Sequence, residues 1–293
     1  MFRRSLICTD FSDGLHRLTR FVPSLAASGM QQIVFLHTAV ISPEREVPRI
    51  DDDEIQSLRD RLVGALTDVP DGIEVKVEVQ PGRPIDTILR VSQEQRSDLI
   101  VVGMAGQNLL QEKLFGSTTM ELCQRTTIPI VTLRPQLIST YTTEELDLRC
   151  RHLFRYLLLP YDGSDSANYL ISRVRAISKD NPERSLEHLL LCWVFEEQGR
   201  RSLPREYDES SAQEQLSQVA ADLQTLGLQV DSEIREGNPL SELLEAALER
   251  DIGAIAISSN TPNRLLGWSV PSFAQEILRR SWHPVIYFPP ERR

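Results

Sequence analysis

At 293 residues the chain has room for two domains of about 150 residues each, and 41% hydrophobic with 25% charged residues are proportions of a globular protein. A formal charge of -10 excludes a general nucleic-acid or anionic-membrane partner, because both need a basic surface, but it leaves room for a local anion site built from backbone N–H groups. No apolar stretch approaches the roughly 20 residues of a membrane span, and Asp10 ends the short apolar run behind Arg3 and Arg4 too early for a secretory signal, so a cytoplasmic location is expected.

In chain order, strands are predicted over 5–10, 32–37, 73–79, 98–103 and 129–133, and helices over 14–28, 53–67, 84–95 and 117–125. Leu58, Leu62, Val63 and Leu66 have helical spacing. The stretch 98–103 is nearly all apolar, as a strand buried on both faces of a parallel sheet requires. The second half gives strands over 156–161, 188–194, 228–234, 253–258 and 284–288. Alternating β and α elements imply parallel sheets covered by helices, with right-handed crossovers. Ligands of such sheets sit beyond the carboxyl ends of the strands, where Asp10, Thr38 and Gly103 fall. The polar stretches 42–52 and 196–212 occupy matching places in the two halves and are expected as β-to-α loops near a site mouth.

The second half repeats the first. Gly82-Arg83-Pro84-Ile85 returns as Gly237-Asn238-Pro239-Leu240, an offset of 237 − 82 = 155. Leu99-Ile100-Val101-Val102 returns as Ala254-Ile255-Ala256-Ile257, and Pro129 to Leu133 returns as Pro284 to Phe288, both at that offset. Asp10 matches Asp162 at an offset of 152, so about three residues entered between the two points. The expected organisation is a domain over 1–134, a polar linker over 135–150 and a second domain over 151–293.

The densest signal is Val102-Gly103-Met104-Ala105-Gly106, closed by Gly116-Ser117-Thr118-Thr119 ahead of a helical stretch. Glycines let a backbone approach an anion closely, and unpaired N–H groups at a helix start favour negative charge. The spacing G-x2-G-x9-G-[ST] closely resembles the ATP-binding signature of the universal stress protein family. Leu6-Ile7-Cys8-Thr9-Asp10-Phe11-Ser12 resembles that family's first strand and acidic turn, and Ile33-Val34-Phe35-Leu36-His37 its second strand. Pro81-Gly82-Arg83-Pro84 resembles the turn before its third helix, and Ile128-Pro129-Ile130-Val131 the entry to its fifth strand.

The resemblance implies two tandem, open, parallel five-stranded sheets flanked by helices (Rossmann-like, adenine-nucleotide alpha-hydrolase-like), arranged as an internal pseudo-dimer. It implies ATP, with Mg2+, across the carboxyl end of the first sheet. Asp10 would lie near the adenosine with Cys8 and Thr9 beside it, and Thr38 would face the adenine. Val102, Gly103 and Gly106 would line the ribose and first phosphate, and Gly116, Ser117, Thr118 and Thr119 would hold the later phosphates. Cys8 stands where the family commonly has Pro, and Thr38 where it has Val. The family commonly dimerises through its last strand, which points to a homodimer and an unidentified protein partner. The implied role is a stress-responsive regulator rather than an enzyme; a nucleotide-independent scaffold with a vestigial site, or a slow ATPase, is the alternative.

Gly116 is followed by Ser117 with no Lys in the Walker position, and no base or arginine finger for phosphoryl transfer is evident. Lys113 and Arg83 are candidate charge partners. In the second half Gly103, Gly106 and Gly116 become Ser258, Thr261 and Pro271, while Ser117 becomes Ser272. A non-glycine at a positive φ would cost about 1–2 kcal/mol, Pro271 has no N–H to donate, and Trp268 is placed to fill part of the old pocket. A helix terminus contributes at most about 2 kcal/mol against about 8 for micromolar binding. One nucleotide per chain is therefore expected, in the first domain. Cys8, Cys123, Cys150 and Cys192 read as buried thiols, and no histidine has metal-ligand spacing.

Overall fold

The computed structural model describes residues 1–39, 52–104, 117–179, 185–196, 208–259 and 272–290. The chain forms two compact units, whose main bodies are Phe2–Arg151 and His152–Pro290.

The first unit holds β1 (Arg4–Thr9), β2 (Gln32–Ala39), β3 (Glu74–Pro81), β4 (Leu99–Gly103) and β5 (Ile130–Leu133), in the order β3-β2-β1-β4-β5. All neighbouring pairs are parallel. Leu6 and Ile7 of β1 and Ile100 and Val101 of β4 are all buried, although successive side chains point to opposite faces of the sheet. Both faces are therefore covered, which explains why the two strands read as continuous apolar runs. β3 alternates Glu74, Lys76 and Glu78 with Val75, Val77 and Val79, the pattern of a strand with one wet face. The chain leaves β1 toward β2 on one side and returns to β4 on the other, so the switch point of the sheet lies between β1 and β4.

Two predicted helices are broken. The 14–28 segment is a 3-10 helix over Leu15–Arg20 followed by α1 (Val22–Ala27), with Phe21 at φ -120 between them. Pro23 lies in the first turn of α1, and a proline suits a first turn but not a helix interior. The 53–67 segment is α2 (Asp52–Asp60) followed by a 3-10 helix over Val63–Leu66 that contains Gly64. The tighter winding changes which side chains face inward: Leu62 and Ala65 are buried, while Val63 and Leu66 are about half exposed at 52% and 49%.

α3 (Pro84–Glu94) buries Ile85, Ile88 and Val91 at helical spacing, and α4 (Ser117–Arg125) buries Leu122 and Cys123. The polar stretch read as a linker is helical, as α5 (Pro135–Thr140) and α6 (Thr143–Arg151). Thr142 and Glu145 form a reciprocal capping box: the Thr142 N–H donates to Glu145 Oε2 at 2.9 Å and the Glu145 N–H to Thr142 Oγ1 at 3.3 Å. Ile138, Leu146 and Cys150 are buried there, and the Arg17 guanidinium donates to the carbonyls of Ile138 and Tyr141. Both helices thus belong to the body of the first unit.

The second unit holds β6 (Tyr156–Pro160), β7 (His188–Phe195), β8 (Gln229–Glu236), β9 (Ala254–Ser258) and β10 (Val285–Phe288), in the order β10-β9-β6-β7-β8. Its helices are α7 (Asp165–Lys179), α8 (Glu209–Gln224), α9 (Pro239–Glu249) and α10 (Phe273–Arg280). The loop expected to run to 212 ends earlier, because Asp208 accepts the Ser211 N–H at 2.7 Å and opens α8. The repeat register is kept in space: α9 begins 239 − 84 = 155 residues after α3. Gly82 and Gly237 persist because their φ values are 142 and 150, a conformation open to glycine alone. Each delivers its N–H to the end of the second strand of its own unit, on Ala39 at 3.1 Å and Phe195 at 2.9 Å.

The two matched helices differ at their first residue. Asn238 accepts the Ser241 N–H at 3.1 Å, whereas Arg83 makes no side-chain cap on α3. Asn238→Ala should cost about 1 kcal/mol and Arg83→Asn should return a similar amount to the first unit. Urea unfolding of both variants checks this, and an unchanged midpoint in Asn238→Ala would show that the cap contributes nothing.

The four cysteines are all free and buried, and burial pushes the thiols up, Cys123 and Cys192 to about 12. They are protonated and unreactive near neutral pH. Among the described residues no helix is long and apolar enough to cross a membrane.

Candidate functional site

The carboxyl ends of β1, β2 and β4 meet at the switch point of the first sheet. Cys8 is in register with Val102, and Thr9 with His37, so Asp10, Thr38 and Gly103 come to one end of three adjacent strands. Thr38 is the next-to-last residue of β2 and is half-buried.

The turn after β1 is organised by two carboxylates. Asp10 is exposed, and its Oδ1 accepts from the Ser12 N–H at 2.8 Å, the Ser12 hydroxyl at 2.8 Å and the Asp13 N–H at 3.0 Å. Such side-chain to backbone bonds give aspartate its place in turns. Asp13 is buried, and its Oδ1 accepts the Thr9 hydroxyl at 2.7 Å and the Leu15 N–H at 2.9 Å. Burial raises its carboxyl to about 6 against the opposing effect of these bonds.

Phe11 sits between them at φ 65, where a non-glycine costs about 1–2 kcal/mol. Its ring lies 4.4 Å from the His37 ring, and the Arg61 guanidinium lies 3.6 Å from its centroid, contacts that offset the strain. Burial and Arg61 hold His37 below its ordinary pKa. The neutral ring places Nδ1 2.9 Å from the Thr9 carbonyl, which it meets as a donor.

Gly103 closes this arrangement. Its φ is not positive, so conformational freedom does not require glycine there. Space does: an added Cβ would overlap the Asp13 Cβ and stand 2.9 Å from Asp13 Oδ2. The glycine admits a buried carboxylate behind the strand end.

The other expected site residues fall as follows. Cys8, Thr9 and Val102 are buried; the Thr9 hydroxyl is engaged by Asp13, and burial followed by the Asp13 charge raises the Cys8 thiol. Ser117 opens α4, with Thr118 half-buried and Thr119 buried in its first turn. Gly106, Gly116 and Lys113 lie outside the described residues, as do Thr261, Trp268 and Pro271 of the second half and most of the loops at 42–52 and 196–212. Arg83 precedes α3. Sequence reasoning missed Asp13, Phe11 and Arg61. Asp13 had a readable signal in the Asp-Phe-Ser-Asp-Gly turn; Arg61 had none, because only tertiary packing brings it to Phe11.

The profile of the universal stress protein family matches residues 1–134 and again 154–289. The chain belongs to the universal stress protein family. Both matches cover the observed sheets, so the family's α/β domain is present twice in tandem. Universal stress protein MJ0577 of Methanocaldococcus jannaschii is 21% identical over 158 residues, covering 46% of this chain and 96% of its own. Universal stress protein Slr1230 of Synechocystis is 30% identical over 63 residues, 22% of each chain. The crystal structure of a universal stress protein from Archaeoglobus fulgidus superposes with a TM-score of 0.67 at 16% identity, covering 98% of both chains, and so shares the tandem fold.

The second family domain differs at the matching strand end. Ser258, in place of Gly103, donates its hydroxyl to the Ser166 carbonyl at 2.8 Å, and the Ser166 hydroxyl approaches the Ser258 carbonyl at 3.3 Å. A side-chain bridge between β9 and α7 thus replaces the glycine–carboxylate contact of the first domain.

Proposed function

We propose that the first domain binds ATP or another adenine nucleotide with Mg2+, and that the chain acts as a stress-responsive regulator in the cytoplasm rather than as an enzyme. The carrying observation is the placement of the described ends of the glycine motif. Gly103 ends β4 beside the switch point, and Ser117 opens α4, so the motif joins a strand end to a helix N-terminus. That is where backbone N–H groups meet an anion. Asp10 and Thr38 lie at the same end for the adenosine, and Arg61 adds a cation there in the role first considered for Lys113 and Arg83. Micromolar affinity needs about 8 kcal/mol, several times what one helix terminus supplies, so the loop glycines and the strand ends must act together. A homodimer, and a protein partner that reads the loop's state, complete this reading.

Titration calorimetry with ATP and Mg2+ on nucleotide-stripped full-length chain tests it. One site per chain is expected, lost in Gly106→Val, since a side chain there keeps the backbone from the phosphates. No heat with the wild type would remove the nucleotide reading, and two sites per chain would remove its asymmetry.

A further inference from the structure

We propose that the outer face of the first domain, around the 3-10 helix over Val63–Leu66, docks a basic amphipathic helix of a partner protein. The inference does not rest on the nucleotide reading. The Lys76 ammonium of β3 donates to Gln95 Oε1 at the end of α3 at 3.1 Å, so the charged residues of β3 point toward α3. Val75, Val77 and Val79 point the other way, toward α2 and the 3-10 helix, which both pack on β3.

That cover is thin. α2 has nine residues and buries none of them. Side chains three apart eclipse in a 3-10 helix, which puts Val63 and Leu66 on one side, and both are exposed, as is Val69 beyond them. Val75 and Val77 of β3 are themselves only half-buried. The second domain covers the matching face fully. α8 has 16 residues and buries Ala212, Leu216, Ala220 and Leu223 at helical spacing. It packs on β8, where Val230 is buried. Among the described residues no exposed large apolar side chain lies on α8 or β8. The same face of the repeat is thus sealed in one domain and left with apolar surface to bury in the other.

Charge selects the partner. From 52 to 78, eight aspartates and glutamates stand against three basic residues. Of those three, Lys76 pairs with Glu74 at 2.7 Å and the Arg61 guanidinium lies over Phe11. Asp60, Asp68 and Asp71, close in the chain to the exposed apolar residues, are exposed as well. Apolar residues among carboxylates complement a segment that carries Lys or Arg beside apolar anchors. Strand addition is disfavoured, because β3 ends the sheet order with Glu74, Lys76 and Glu78 along it, and such charges protect an edge. A helix meets the face instead, through anchors three and four residues apart.

Fluorescence anisotropy on the full-length chain without nucleotide tests this with three labelled peptides of equal length. The first carries Leu at helical spacing among Lys, the second has the same composition with that spacing scrambled, and the third has Glu in place of Lys. The first should bind saturably, and the other two at least about tenfold more weakly. Leu66→Ser should weaken the first by about fivefold, since about half of that side chain is left to bury. Leu248→Ser, at an exposed residue of α9, should leave it unchanged. No saturation up to near-millimolar chain, equal binding of the three peptides, or equal effects of the two substitutions would each overturn the proposal. Self-association of the wild type that Leu66→Ser abolishes, with no peptide bound, would overturn it in favour of a second copy of the chain.

Discussion

Asp13→Asn should flatten the fall in stability that the first domain undergoes between about pH 4 and pH 6. Asp13 has its folded-state carboxyl raised to about 6 from an ordinary 3.8, chiefly by burial. Below pH 4 the group is protonated in folded and unfolded chain alike, and it costs nothing. Between the two values the unfolded chain has lost the proton that the folded chain still holds, so stability falls as pH rises. Above pH 6 both are ionised and the loss is complete, on the order of 3 kcal/mol at about 1.4 kcal/mol per pH unit.

Asparagine keeps an acceptor for the Thr9 hydroxyl and the Leu15 N–H without the charge. The variant should therefore match the wild type near pH 4 and exceed it at pH 7 by about 1–3 kcal/mol. Urea unfolding of both proteins across this range, compared as a difference so that other carboxylates cancel, measures it. A difference independent of pH would show that Asp13 is not held protonated by its burial.

Gly103→Val should destabilise the first domain by at least about 1–3 kcal/mol, the usual cost of overpacking. The valine has nowhere to go, because even its Cβ overlaps Asp13. The same substitution with Asp13→Gly should recover much of the loss, as the overlapping Cβ and the carboxylate behind β4 are both removed. A coupling of more than about 1 kcal/mol in this double-mutant cycle is expected for residues in direct contact. Additive effects would mean that Asp13 does not set the glycine requirement. Ser258→Gly at the matching place should show no such rescue pattern, since its neighbour is Ser166.

The broad architecture was legible from the residues because it rests on local patterns. Apolar runs such as Leu99 to Val102 mark a doubly covered strand, and the offset of 155 marks the repeat. Gly82 and Gly237 survive in both halves because a positive φ is demanded by the chain's own turn. The Thr142–Glu145 box was equally local, yet it sits in a stretch too polar to suggest a packed helix.

What the residues alone left undecided depends on contacts between distant segments. The role of Gly103 was read as phosphate approach, but no pattern along the chain shows that Asp13 stands behind it. Arg61 reaches Phe11 across the fold, and the helix over 53–67 breaks where 3-10 winding brings Leu62 and Ala65 inward. The loss of the glycines in the second half was visible as letters; that Ser258 there bridges to Ser166 emerged only when β9 and α7 were brought together. By itself the sequence determined the tandem parallel sheets and the ends at which ligands gather, since periodicity and turn chemistry are properties of neighbouring residues. Tertiary structure decided which side chains occupy those ends, because charge burial and excluded volume are set by residues far apart in the chain.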